Sequence, residues 1–165
     1  PDSAAKIRKR LGGHNRPIDV IEAACFARAG KCALYRDGTS RACNSLWEKN
    51  CIERDGACVV EMVTLDDVAS RVRNLKAIKI DAQGAEVQIL QGGIETLMRD
   101  RLVWQVELWP RGLVNAGSSV DELAQVFEQH GWIPSERTWA AVLEDAHAID
   151  LPTKSHDVVL VKATK

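Results

Sequence analysis

Residues 77–97 constrain the fold of this chain more than any other stretch. Ala77-Ile78-Lys79-Ile80-Asp81 is a short apolar run that ends on a carboxylate, and Gln83-Gly84 follows as a turn. Val87, Leu90, Ile94 and Leu97 then recur at helical spacing, so the segment reads as a strand, a tight turn and a helix. Such a unit forces a layered answer, because the strand needs sheet partners and the apolar stripe of the helix needs the sheet to cover.

The flanking segments extend the same alternation. Residues 102–108 form a second apolar strand that carries Glu107 near its end and is closed by Pro110. Ser119 and Glu122 make a capping box, Val120, Leu123, Ala124 and Phe127 supply the buried face of a helix, and Gly131 ends it. A last strand spans 157–162. Towards the N-terminus, residues 3–11 read as a helix with Ser3 as N-cap and Gly12-Gly13 as its stop, and 18–24 read as a buried strand after Pro17. Residues 31–63 read as an antiparallel excursion turning at Asp37-Gly38, after which Thr64 and Asp67 open a helix with Val68, Val72 and Leu75 on its apolar stripe. The expected fold is α/β, an open and mainly parallel sheet with helices on both faces. With 165 residues, 45% of them hydrophobic, a single domain over 1–165 is expected.

Charge and composition narrow the function. Lysine and arginine number 22 against 23 acidic residues, so the chain has no net positive field for tracking phosphates, and no nucleic-acid partner is expected. No run approaches the roughly 20 apolar residues of a membrane span, and the N-terminus does not read as a signal peptide. The expectation is a soluble, cytoplasmic chain with no membrane partner. The start on Pro1-Asp2-Ser3 fits a fragment or a processed chain. Cys25, Cys32, Cys43, Cys51 and Cys58 fall in one window without CxxC spacing; they are expected to be reduced and to pack as small apolar residues, with no metal site.

In an open α/β sheet, ligands bind beyond the carboxyl ends of the strands. Asp81 and Glu107 close adjacent strands, which sets two carboxylates on one rim where they can orient a hydroxyl or take its proton. Both are candidate catalytic residues. Asp81 has a structural alternative, acceptance of a backbone N–H near Gly84 as a helix cap, and the roles can coexist. Glu86 in the first helical turn has one too, stabilisation by the helix dipole. Trp109 either packs after its strand or shapes an acceptor pocket.

The stretch Ile78-Lys79-Ile80-Asp81-Ala82-Gln83-Gly84-Ala85-Glu86, continuing through Val87, Leu90 and Gly92, resembles the signature of the FkbM-type methyltransferases. Asn44-Ser45-Leu46, Val63-Thr64-Leu65-Asp66-Asp67, Glu107-Leu108-Trp109-Pro110 and Gly131-Trp132 resemble further segments of that family, in order. The resemblance implies a class I methyltransferase (Rossmann-like) fold and the cofactor S-adenosylmethionine. It also implies O-methylation of a hydroxyl on a sugar or natural product, so the expected partner is a small-molecule or saccharide acceptor. It places Asp81 near the donor methyl, Asp2 beside the ribose-binding acid, and Ala24 and Cys25 along the adenine. Ser45, Glu86 and Trp109 become candidate acceptor-binding residues. The chain departs from the family in lacking the first strand with its glycine-rich turn and the second strand with its ribose-binding acid. Gly12-Gly13 follows a helix and cannot replace that turn. A non-catalytic interaction domain with a degenerate methyltransferase fold is therefore the alternative reading, and a dinucleotide-dependent oxidoreductase a third.

In the strand order that the resemblance implies, the absent strands lie between 18–24 and 77–81. The sheet is thus expected to split. Either 18–24 pairs directly against 77–81, or a second molecule covers the open edge as a homodimer.

Overall fold

The computed structural model describes residues 2–11, 18–40, 43–148 and 155–163, the side chains of Asp2, Ser3 and Leu11 excepted. Pro1, Gly12-Gly13 and Pro17 lie outside the described residues. In chain order the elements are α1 (Asp2–Leu11), β1 (Ala23–Cys25), β2 (Gly30–Asp37), a 3-10 turn (Glu48–Asn50), β3 (Arg54–Val63), α2 (Leu65–Ser70), β4 (Ala77–Ile80), α3 (Glu86–Gln91), α4 (Ile94–Leu97), β5 (Val103–Leu108), α5 (Pro110–Asn115), α6 (Val120–Gln129), β6 (Trp132–Pro134), α7 (Trp139–His147) and β7 (His156–Lys162).

The strands form two small sheets, ordered β1-β3-β2 and β4-β5-β7-β6. This corrects the expectation of one mainly parallel sheet. Only β1 with β3 and β4 with β5 run parallel, while β2 with β3, β5 with β7 and β6 with β7 are antiparallel. The split itself follows the expectation, but the closing pair does not form. Residues 23–25 pair with 61–63 instead, and among the described residues β4 has no strand on its outer edge.

Burial alternates along β5, where Trp104, Val106 and Leu108 are buried while Val103, Gln105 and Glu107 are not. The buried set joins Ile80, Val158 and Leu160 from the neighbouring strands and Leu90, Leu97, Leu123, Phe127 and Val142 from the helices in one core. The opposite face carries Ala77, Lys79, Val103, Gln105, Glu107, Asp157 and Val159, all exposed or half-buried. Helices on both faces are therefore not what the burial pattern supports. At the centre, Trp104 meets Phe127 and Trp132 edge to face at 5.5 and 5.8 Å, a geometry that the aromatic quadrupoles favour. The indole N–H groups of Trp132 and Trp139 donate to the carbonyls of Leu97 and Trp132, so these buried donors are satisfied.

Local signals set most boundaries. Thr64 accepts from the Asp67 N–H and Ser119 from the Glu122 N–H, as capping predicts. The helix expected through Val87 to Leu97 breaks into α3 and α4 at Gly92-Gly93, since two consecutive glycines weaken a helix interior by roughly 1 kcal/mol each. Pro110 opens α5 at its first turn, where the missing N–H costs nothing.

Asp37 ties the loop after β2 to the start of β3. Only 4% exposed, its carboxylate accepts from the Thr39 N–H and hydroxyl, the Ser40 N–H, and the Ile52 and Glu53 N–H groups. The Thr39 hydroxyl is the largest influence, and with the backbone donors it outweighs desolvation and draws the pKa from 3.8 to about 2. A carboxylate with a depressed folded pKa stabilises the fold above its unfolded pKa and loses that contribution as pH falls towards the folded value. Urea midpoints of the wild-type chain should therefore fall between about pH 4 and pH 2. Asp37→Ala should cost about 1.5 to 2 kcal/mol at pH 7, because donors on the exposed Thr39, Ser40, Ile52 and Glu53 lose a charged acceptor that water replaces only in part, and should flatten this part of the acid dependence.

Candidate active site at the ends of β4 and β5

The turn between β4 and α3 determines the site. Gly84 has φ +101°, and a Cβ there would stand 2.5 Å from the Gly112 carbonyl and 2.6 Å from Asn50 Nδ2, so only glycine fits. Glu86 is wholly buried, and its Oε1 accepts from the Ala82 and Gly84 N–H groups at 3.0 and 3.2 Å. Burial pushes its carboxyl above the ordinary carboxylate range. Glu86 thus fastens the turn from beneath, and in this conformation it does not reach the open rim as an acceptor-binding residue would.

That arrangement releases Asp81 from capping. Side chains supply its hydrogen bonds: Lys79 Nζ donates to Oδ2 at 3.1 Å and Gln83 Nε2 to Oδ1 at 3.2 Å. The same Gln83 amide donates to Glu107 Oε2 at 3.1 Å, and the Ser155 hydroxyl donates to Glu107 Oε1 at 2.6 Å. Asp81 and Glu107 are within hydrogen-bonding reach of each other, as their place at the ends of adjacent strands requires.

Their environments push the two carboxyls apart. Desolvation acts upwards on Asp81, but the hydrogen bonds with Lys79, Glu107 and Gln83 together outweigh it and hold the group below its ordinary value. Glu107 is raised, first by burial and then by the neighbouring Asp81 and Asp157, against the Ser155 bond. The pair therefore keeps a charge on Asp81 and a proton on Glu107 over a range where isolated carboxyls would both be ionised. Divergent carboxyl pairs of this kind suit separate acid and base roles.

Beside the rim, a groove of about 440 Å³ runs along the free edge of β4 between Cys25, α2 and the strand. Leu65, Val68, Val72, Ile78 and Ile89 make its walls apolar, and Asp81 and Lys79 stand among its lining residues. Two sequence candidates, Cys25 and Asp81, thus meet on one groove. Desolvation pushes the Cys25 thiol up to about 11, which keeps it neutral. Ala24 instead lines a larger cavity of about 1130 Å³ between α1 and the first sheet, together with Ala23. Asp2 is the first residue of α1, and its side chain lies outside the described residues.

Chain similarity decides what this geometry belongs to. The model of the methyltransferase FkbM domain matches residues 3–134. The chain belongs to the FkbM methyltransferase family. A curated relative, the 2-O-methyltransferase NoeI of Sinorhizobium fredii (strain NBRC 101917 / NGR234), is 29% identical over 119 residues. That match covers 63% of this chain and 49% of NoeI, so the similar region is about half the length of the relative. No solved structure matches the chain. No helix among the described residues is long and apolar enough to cross a membrane.

The remaining candidates lie near this candidate site. Ser45 is 1% exposed; its hydroxyl donates to the Gln83 carbonyl at 2.9 Å and accepts from the Trp47 N–H at 3.2 Å. It holds the turn from behind. Trp109 is half-buried, and its indole lies so close over Gly112 that a Cβ there would meet Cε3 at 2.1 Å, which favours packing over acceptor contact. Sequence reasoning missed Asn50, Gln83, Asn115 and Ser155. Asn50 Nδ2 donates to the carbonyls of Gln83 and Gly112 at 2.8 and 3.2 Å, and its Oδ1 accepts from Asn115 at 2.8 Å. Asparagine at the end of a polar loop is too common a signal to single out, since only the fold brings 50, 83 and 112 together.

Proposed function

We propose that the chain carries the catalytic rim of an S-adenosylmethionine-dependent O-methyltransferase acting on a hydroxyl of a sugar or natural product. The observation that carries this reading is the Asp81–Glu107 pair, bridged by Gln83 and divergent in proton affinity, with Asp81 lining an apolar groove. S-adenosylmethionine, when bound, supplies a methyl group on a positively charged sulfur. The groove suits that group: its volume is in the range of small-molecule pockets, its walls suit an adenosine, and Asp81, its one carboxylate, can share its charge between Lys79 and a nearby sulfonium.

In this reading Asp81 accepts the hydrogen bond of the acceptor hydroxyl and takes its proton as the oxygen attacks. Glu107 keeps its own proton, holds Asp81 in place and leaves it as the charged partner. Lys79 steadies the opposite oxygen of Asp81. Because an activated donor needs little electronic help, alignment of oxygen, carbon and sulfur is the larger share of the task. The ribose acid and glycine-rich turn that the family resemblance implies are not among these residues, so the chain alone should bind the cofactor weakly.

Calorimetric titration of S-adenosylmethionine into this chain and into the protein from its full reading frame tests the proposal. Weak binding by the first and binding tightened at least tenfold in the second are expected. No binding by either would leave the non-catalytic interaction domain as the better reading.

A further inference from the structure

Gln83 is one of the non-glycine residues with positive φ, at +52°. Glutamine gains nothing from the left-handed region, where glycine and asparagine are the favoured residues. The conformation is held from outside, since the Gln83 carbonyl accepts from both Ser45 Oγ and Asn50 Nδ2 at 2.9 and 2.8 Å. Its side chain then has a use that glycine lacks. The Nε2 amide reaches Asp81 Oδ1 and Glu107 Oε2 at 3.2 and 3.1 Å, one donor group serving two carboxyls on different strands.

We propose that Gln83 is a positioning residue that fixes Asp81 and Glu107 as one proton-sharing unit, with Ser45 and Asn50 holding the strained turn from which its amide bridges them. The proposal deepens the methyl-transfer reading of the rim and rests on it for its consequence in catalysis. Its physical content does not depend on the cofactor. A neutral amide that donates to both oxyanions makes the doubly ionised pair less costly, so its removal should raise the upper of the two apparent pKa values. The other charged groups facing the pair are Lys79 on β4, Asp157 opposite Glu107 on β7, and Glu86 behind the turn. None of them changes when Gln83 is replaced.

The discriminating variant is Gln83→Gly. A residue serving only the turn would be replaced by glycine without electrostatic consequence, because glycine adopts this conformation freely. Carboxyl titrations of Asp81 and Glu107 followed by carbon NMR in this chain should show the upper apparent pKa raised by about half a unit or more, with the thermal midpoint retained. Gln83→Asn also tolerates the left-handed turn but is one methylene short of the bridge, and should behave alike. Unchanged titrations in folded Gln83→Gly and Gln83→Asn would overturn the proposal. In the protein from the full reading frame, the alkaline limb of the methyl-transfer rate profile, where the pair loses its last proton, should move up with the titration. A shift in the titration without one in the rate profile would uphold the positioning role and count against methyl transfer at this rim.

Discussion

Under the proposed methyl transfer, Asp81→Ala in the protein from its full reading frame should lower turnover by about 10² to 10⁴-fold, the range for loss of a positioned acid or base, while the thermal midpoint moves by no more than a few degrees. The two effects separate because of where the carboxylate sits. Its side chain is 41% exposed, its ion pair with Lys79 is at the surface, and surface pairs contribute little to folding. The turn that follows β4 is fastened by Glu86, Ser45 and Asn50 rather than by Asp81. Asp81→Asn keeps the shape and loses the charge, so it should lose nearly as much activity. Turnover and stability measured on the same preparations decide the matter. If stability falls in step with activity and the remaining folded enzyme keeps its rate, Asp81 serves the turn and not the reaction.

Asn50→Asp should lower the unfolding free energy by about 3 to 4 kcal/mol, which at this chain length is a fall of roughly 8 to 12 °C in thermal midpoint. Asn50 is 3% exposed, and its amide nitrogen faces the carbonyls of Gln83 and Gly112. Aspartate has the same size but presents an oxygen there, so two donated bonds become repulsions between lone pairs and a buried carboxylate is left without a cation. Asn50→Ala removes the bonds without adding the repulsion and should cost less, about 2 kcal/mol. Urea unfolding of the three proteins gives the order directly, and an alanine variant weaker than the aspartate one would contradict it. Under the proposed function both variants should also slow methyl transfer, because the loosened turn carries the Gln83 bridge between the carboxyls.

The site was legible where chemistry is written locally and hidden where it is made by folding. Asp81 and Glu107 could be picked out because each ends an apolar run that periodicity marks as a strand, and strand ends share a rim. Thr64 and Ser119 could be placed because a cap bonds three residues ahead. Glu86 was found for the right position and a different reason, since its depth beneath the turn depends on packing against the core. Gln83 was readable only as a turn residue and Asn50 not at all, because the tie from Gln83 to Glu107 and those from Asn50 to Gln83, Gly112 and Asn115 join residues 24 to 65 apart in the chain. The sheet order was misjudged for a related cause. Short apolar runs do not state their direction, and β7 joins β5 antiparallel although its sequence would suit either sense.

The position of the cofactor sulfur tests the proposed methyl transfer most directly. A crystal structure of the protein from its full reading frame with S-adenosylhomocysteine should place that sulfur at the end of β4, facing Asp81, with the adenosine along the groove that Cys25, Val68 and Ile78 line. A nucleoside in the larger cavity between α1 and the first sheet, or a sulfur remote from Asp81 and Glu107, would contradict it.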